Sequence, residues 1–189
     1  MSKLIVLCAV VLTMASMNVA EAFDGHRKGF VVGGGAGFSP HASWESDALG
    51  NPDDDGAGTG INVFVGYGWD RANLIGFEGN IVKYNTDVDN KQVDAYQGFR
   101  GISWYHYFGD EGRSFFTVAG LGLYAYIFED FDSNTDGTND QGGGFLAGGG
   151  YEFMKHWQLG VYASGGRTRT PHYDYDHTHV NFLVSGLVF

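Results

Sequence analysis

Apolar and polar residues alternate with a period of two along most of the chain, which predicts β-strands rather than helices. Eight segments show this pattern. They are residues 29–39, 59–68, 74–84, 92–108, 114–128, 142–153, 157–170 and 177–189. Most span ten residues or more, about twice the ~5–6 residues of an average strand in soluble proteins. Strands of this length are typical of a barrel wall.

The connections between these strands alternate in character. Three are short turns, at residues 69–73, 109–113 and 154–156, and four are polar and mostly longer, at residues 40–58, 85–91, 129–141 and 171–176. Short turns at one end and polar loops at the other, over an even number of strands, are the layout of an outer-membrane barrel. The expected fold is all-β, an eight-stranded antiparallel up-and-down transmembrane β-barrel.

The faces of single strands support a barrel but leave its surroundings open. In residues 114–128, Leu121, Leu123 and Ile127 share one face, while Gly120 and Tyr124 share the other. An apolar outer face and a polar inner face describe a strand in lipid. The inverse facing describes a soluble barrel that binds an apolar ligand inside, and alternation alone does not separate the two.

The first 22 residues differ from the rest and predict a secretory signal peptide. Lys3 precedes an apolar run over residues 4–15, and Ala20-Glu21-Ala22 provides a small-residue cleavage site. Cleavage there leaves residues 23–189 as one barrel domain, and it removes Cys8, the one cysteine of the chain. We therefore expect an exported protein without disulfides.

Composition and charge narrow the possible functions. The 189 residues include 31 glycines and 16% aromatics, and glycine costs a helix interior roughly 1 kcal/mol relative to alanine. The net charge of −11 argues against a nucleic-acid partner.

Aromatic residues at the strand ends favour lipid over water. Trp69, Tyr105, Tyr107, Phe153 and Trp157 lie beside the short turns, where an aromatic girdle would meet the membrane interface.

Three stretches carry a family resemblance. Residues 183–189, which end in Phe189, look like the terminal strand of bacterial outer-membrane proteins, and residues 119–124 and 147–153 resemble strands of small OmpA/OmpX-type barrels. The resemblance implies a porin-family-like protein of the Gram-negative cell outer membrane, with membrane lipid as its surroundings. It also implies that the barrel-assembly machinery reads Phe189 as an assembly signal. We expect a monomer.

The facing of the last strand has two possible phases. In the resembled family the terminal Phe and alternate residues face lipid, whereas the composition of this strand favours the opposite phase, and a bulge near Ser185 would reconcile them. The family phase would turn outward Leu187, Ser185, Leu183 and Asn181, and inward Val188, Val184, Phe182 and Val180.

Three charged residues are expected inside the barrel. An eight-stranded barrel is just wide enough for its interior side chains to fill it, so we do not expect an open channel. Glu78, Arg100 and Glu152 are the candidate interior charges, and they predict a salt-bridged plug.

An enzymatic alternative is a lipid A-modifying outer-membrane protein. The deacylases of that class carry a His-x-Ser-Asn segment near the penultimate strand, in which histidine activates serine. Here the stretch around Ser164 holds no histidine, and His177, His179 and Asn181 follow in another order. We expect no enzyme and no cofactor.

The polar loops suggest at most a weak metal site. Asp132, Asn134 and Asp136 precede Gly137 with the spacing of a calcium loop, but Gly143 stands where a bidentate glutamate belongs. Five histidines and aspartates that could bind a metal cluster near the last strand, but on an extended segment they point in two directions. They are His172, Asp174, Asp176, His177 and His179. The expected function is a non-enzymatic barrel with acidic surface loops, structural or surface-interacting.

Overall fold

A computed structural model describes residues 26–46, 53–88, 91–129, 139–169 and 174–189. Eight antiparallel strands close into one barrel in which each strand pairs with its neighbours in sequence and β1 pairs with β8. The strands are β1 (Gly29–Ser46), β2 (Asp53–Gly68), β3 (Asn73–Val88), β4 (Lys91–Tyr107), β5 (Ser114–Glu129), β6 (Asn139–Met154), β7 (Trp157–Arg169) and β8 (Asp174–Val188). The predicted fold class is confirmed. Among the described residues, no helix has the length and apolarity needed to cross a bilayer.

The strands extend beyond their predicted ends on the loop side. β1 continues to Ser46 and β2 begins at Asp53, with Ser43 opposite Asp55. There the inner face holds Ala42, which is buried in an apolar cluster against which Trp44 packs, while Glu45 is exposed. The sequence predicts a loop over residues 40–58 because serine and aspartate are frequent there and mask the strand pattern.

A bulge in β1 explains how a proline fits within a strand. The register of β1 shifts between Ser39 and Ala42 against β2, and between Phe38 and His41 against β8. Pro40 lies at this shift, where its missing N–H breaks no regular ladder bond. The Ser39 hydroxyl donates to the Val180 carbonyl at 2.7 Å and reconnects the two strands.

The apolar faces point away from the barrel interior on every strand. Leu121 is 76% exposed, whereas Tyr124 on the opposite face of β5 is fully buried. The other strands place large apolar side chains outside in the same way, among them Phe38, Val63, Phe77, Ile102, Phe145, Leu159 and Phe182. The soluble-barrel alternative is wrong, because it requires these faces to line the interior.

The aromatic girdle is partly confirmed. Trp69, Phe153 and Trp157 point outward at the turn end and are 42–47% exposed. The prediction is wrong for Tyr105 and Tyr107, since both point inward and are buried. Residues two positions apart on a strand lie on the same face, so Tyr105 and Tyr107 point the same way. The outward face of β4 at that level carries Trp104.

The last strand follows the phase that its composition favours. Val188, Val184 and Phe182 are exposed, while the alternate residues, including Leu187, are buried. The pairing of β8 with β7 runs without interruption from Gly186 to Asp174, so there is no bulge near Ser185. At the β1–β8 seam the register shift lies on the facing strand, β1.

Glycines make room for rings inside the wall. Gly150 on β6 lies opposite Gly160 on β7, and a Cβ at Gly160 would lie 2.5–2.9 Å from atoms of the Tyr162 side chain. The small residues therefore set where the interior aromatics pack. This interior column of polar and aromatic side chains is the candidate site.

Candidate functional site

The end of the barrel that carries the short turns is closed by a buried arginine. Arg27 lies just before β1, and its side chain is fully buried. Its guanidinium pairs with Glu152 at 3.2 Å and donates to the Gly109 carbonyl at 2.7 Å. The same group stacks over the Tyr107 ring at 3.9 Å from its centroid, a cation–π contact.

Two turn residues hold this closure in place. The Arg27 backbone N–H donates to Glu111 Oε1 at 3.2 Å, and the Gly112 N–H donates to Glu152 Oε2 at 2.9 Å. Gly112 has a φ of 87°, a left-handed conformation that glycine adopts without strain. Although partial burial acts to raise it, the pKa of Glu111 is lowered by the Arg27 N–H and by the Arg27 charge. We call this group the turn-end seal: Arg27, Glu111, Gly112 and Glu152.

The predicted interior charges are only partly where we expected them. Glu78 and Glu152 are buried inside the barrel. The predicted interior position of Arg100 is wrong, because Arg100 is exposed on the outer wall of β4, on the same face as Ile102 and Trp104. The interior cation is Arg27 instead. Sequence reasoning missed it because Arg27 precedes the first predicted strand and so belongs to no periodic pattern.

Above the seal, polar side chains form hydrogen bonds with one another inside the lumen. Tyr107 donates to Gln158 Oε1 at 2.8 Å, and the Gln158 amide is 3.4 Å from the Tyr162 hydroxyl. Tyr105 donates to Glu78 Oε1 at 2.8 Å, and the Asn62 amide lies 3.4 Å from the same oxygen. The carboxylate that sequence reasoning assigned to a salt bridge is thus held by neutral donors.

The next level brings together a serine, a histidine and an asparagine. Ser164 Oγ lies 3.0 Å from His179 Nε2 and 3.2 Å from its Nδ1, and His179 Nε2 lies 3.0 Å from Asn80 Oδ1. These are the residue types of a nucleophilic triad, and sequence reasoning did not bring them together. The serine approaches the imidazole from the side, near both nitrogens, and Ser164, His179 and Asn80 are all buried. Tyr124 completes the cluster, with its hydroxyl 2.7 Å from His179 Nδ1.

Toward the loops the lumen remains filled. Gln97 donates to the Thr178 carbonyl at 2.8 Å, and His177 Nε2 lies 2.8 Å from the Thr168 hydroxyl. Tyr84 donates to Gln97 Oε1 at 3.3 Å. Hydrogen-bonded side chains therefore occupy the interior from the turn-end seal to the level of Gln97.

The structure brings no metal-ligand set together in the part of the chain that it describes. Asp132, Asn134 and Asp136 lie outside the described residues. Within the described ranges, no group of three or more histidines, cysteines, aspartates or glutamates has the arrangement to hold a metal ion. Asp174 and Asp176 pair with Arg169 and Arg167 at the ends of β7 and β8.

Phe189, the predicted assembly signal, follows the end of β8. Its ring is buried, and its centroid lies 4.5 Å from that of His156 in the two-residue turn between β6 and β7. His156 Nδ1 is 2.9 Å from the Leu187 carbonyl. In the closed barrel the ring therefore packs against the turn end.

Comparison with known proteins identifies the family to which this barrel belongs. Residues 6–186 match the family model described as outer membrane protein beta-barrel domain. No curated protein sequence matches the chain.

Solved structures agree in fold. Neisserial surface protein A is 14% identical, with a TM-score of 0.56 over 84% of this chain and 96% of that one. Ail of Yersinia pestis, in complex with the heparin analogue sucrose octasulfate, is 9% identical, with a TM-score of 0.52 over 85% and 99%. OprG of Pseudomonas aeruginosa is 14% identical, with a TM-score of 0.50 over 88% and 99%.

Proposed function

The chain belongs to the family of outer membrane protein beta-barrel domains and resides in the cell outer membrane, and on this premise we propose that it is a non-enzymatic protein with a structural or surface-interaction role. The observation that carries the proposal is the filled lumen. Side chains hydrogen-bonded across the barrel leave the loop-side rim as the surface on which a partner can act.

A filled lumen argues against a diffusion pore. Arg27 and Glu152 are both buried at the turn end, and an eight-stranded wall leaves little width beyond its side chains. Insertion into planar bilayers should give no stable conductance steps. Steps that grow in proportion to salt concentration would contradict the filled-lumen interpretation.

The charge of the rim indicates the kind of partner. Residues 40–58 hold five carboxylates, and residues 129–141 hold five more, with no lysine or arginine in either stretch. Glu45 and Asp55 are exposed on the paired extension of β1 and β2. We propose that the rim attracts cationic partners, divalent cations included. It should not bind a polyanion such as the sulfated ligand in the Ail structure.

Binding of an octalysine peptide to the protein in nanodiscs tests this proposal. Affinity should fall as salt shortens the Debye length from ~10 Å at 0.1 M to ~3 Å at 1 M. It should also fall in the triple variant Asp53→Asn/Asp54→Asn/Asp55→Asn but not in Asp110→Asn, a turn-end control. Saturable binding of sucrose octasulfate in place of octalysine would overturn the proposal.

A second candidate, a lipid-directed hydrolase, has one observation in its favour, the Ser164–His179–Asn80 cluster. We set it second because all three side chains are buried in the lumen, away from the acyl chains around the barrel. Acyl release from purified lipopolysaccharide tests it. Release that is lost in Ser164→Ala would move this candidate to first place.

The remaining proposals concern assembly. We propose a monomer in membrane lipid, inserted by the barrel-assembly machinery through recognition of Phe189 before the barrel closes.

A further inference from the structure

Arg100 occupies an unusual place on the outer wall. It lies on β4 opposite Gly79 of β3 and Leu123 of β5, and it is exposed on the outward face. The outward positions of β5 from Phe115 to Ile127 are apolar except for Thr117. A cation therefore lies within the belt that faces lipid.

The register between β4 and β5 gives the depth of Arg100 in the membrane. Leu123, the partner of Arg100, lies eight residues from Phe115 and four from Ile127. At roughly 3.3 Å per residue, Arg100 is about 13 Å along the wall from the loop-side limit of the belt. Its long side chain can reach toward the loop-side interface, so it belongs to the outer leaflet.

In the part of the chain that the structure describes, the Arg100 side chain has no hydrogen-bond or ion-pair partner. Lys83, an exposed cation on the neighbouring strand β3, differs in this respect. Lys83 pairs with Asp94 at 2.6 Å and lies 5.4 Å from the centroid of the Tyr96 ring. An arginine in hydrocarbon is unfavourable unless an anion neutralises it. Arg100 is thus a lipid-facing cation that no anion neutralises within the part of the chain that the structure describes.

A groove of about 340 Å³ adjoins this arginine. Gly98 and Ala125 form its small-residue part, and Ile81 and Ile127 line it with larger apolar side chains. Tyr96 also lines it, on the side toward the loops. Ile81 and Ile127 are exposed on the outer face of the wall, where acyl chains lie.

We propose that Arg100 and this groove form a binding site for an anionic glycolipid of the outer leaflet, of the lipid A type. A phosphate oxygen pair accepts from the guanidinium, a planar donor suited to bidentate contact, and one acyl chain lies along Ile81, Ala125 and Ile127. Charge complementarity and the loop-side depth together favour this occupant. The site goes beyond the proposed function, because it binds the membrane rather than a surface partner.

Native mass spectrometry and thermal unfolding of the full mature chain in detergent, with added diphosphoryl lipid A, test the proposal. Lipid A should bind and raise the unfolding midpoint. Arg100→Gln should weaken binding about tenfold, as expected for loss of one charge-assisted contact, whereas Arg100→Lys should retain part of it. The control Arg113→Gln removes an exposed arginine at the turn end and should leave binding unchanged.

A second pair of variants tests the groove without removing charge. Ala125→Leu should fill it and weaken lipid A binding, whereas Ala119→Leu, on the same outward face of β5 but below the groove, should not. Equal binding by Arg100→Gln and the wild type would overturn the proposal. Equal stabilisation by phosphatidylglycerol would overturn the assignment to lipid A, and a dimer that depends on Arg100 would assign the groove to a second copy.

Discussion

The turn-end seal gives the sharpest quantitative prediction. Substituting Arg27→Met keeps much of the side-chain volume but removes the charge and leaves Glu152 buried without its 3.2 Å partner. Breaking a buried ion pair by removing one partner costs about 3–5 kcal/mol. The variant also loses the bond to the Gly109 carbonyl and the contact with the Tyr107 ring. These losses are parts of one event and do not add.

Urea unfolding of the protein in vesicles, followed by tryptophan fluorescence, measures this loss. Lys28→Met is the matched control, because Lys28 is the next residue, carries the same charge and is exposed. It should change the free energy of unfolding by less than about 0.5 kcal/mol.

A double-mutant cycle separates the pair from general damage. In Arg27→Met/Glu152→Gln the second change removes the uncompensated carboxylate, so the double variant should be more stable than the sum of the two single losses predicts, by about 2 kcal/mol. Strict additivity, or an Arg27→Met variant as stable as Lys28→Met, would refute the seal.

Four further outcomes are expected. Hydrogen bonds from the Asn73 side chain and from the Ala72 and Asn73 backbones lower the pKa of Asp70 in its turn. The stability that the ionised Asp70 contributes is therefore present above the pKa of the unfolded chain, and it is lost as pH falls through the pKa of the folded protein. Asp70→Asn should accordingly lower the urea midpoint at pH 7 and not at pH 2. Phe189→Asp should reduce folded protein in cells; if recognition during insertion is the cause, refolding into vesicles without assembly proteins should be affected much less. Calorimetry with calcium should show weak, salt-sensitive binding, and a saturable isotherm abolished by Asp132→Asn/Asp136→Asn would contradict this. Arg100→Leu should stabilise the barrel in phosphatidylcholine by about 1 kcal/mol, because a cation within the apolar belt is unfavourable in neutral lipid even between mid-depth and the interface. Destabilisation there would show that Arg100 has a partner within the protein.

The fold could be predicted because the wall follows a simple physical rule. One face of each strand meets lipid and the other meets a polar lumen, so residues such as Leu121 and Tyr124 reveal their sides by composition. The strand ends could not be predicted in the same way. Between Ser39 and Ser46 the backbone remains paired beyond the apolar belt, but the bulge at Pro40 interrupts the alternation of inward and outward side chains.

The interior contacts were harder to predict than the wall. Ser164, His179 and Asn80 come from three strands, and their contact depends on register and barrel closure, which no local pattern encodes. Arg100 is different, because its shared parity with Ile102 and Trp104 already placed it outside. The outward position of Arg100 could therefore have been predicted from the pattern of β4 alone.

The apolar faces of the barrel contact lipid while the polar faces enclose a filled lumen, and spin labels on one strand test this arrangement most directly. Because Cys8 lies in the predicted signal peptide, single cysteines can be introduced along β5 of the mature chain and spin-labelled in vesicles. Oxygen, which partitions into lipid, should relax labels at 119, 121 and 123 strongly, and labels at 118, 124 and 126 should be shielded from both oxygen and a water-soluble nickel complex. Strong relaxation by nickel at 119, 121 and 123, or the absence of any alternation, would contradict the account.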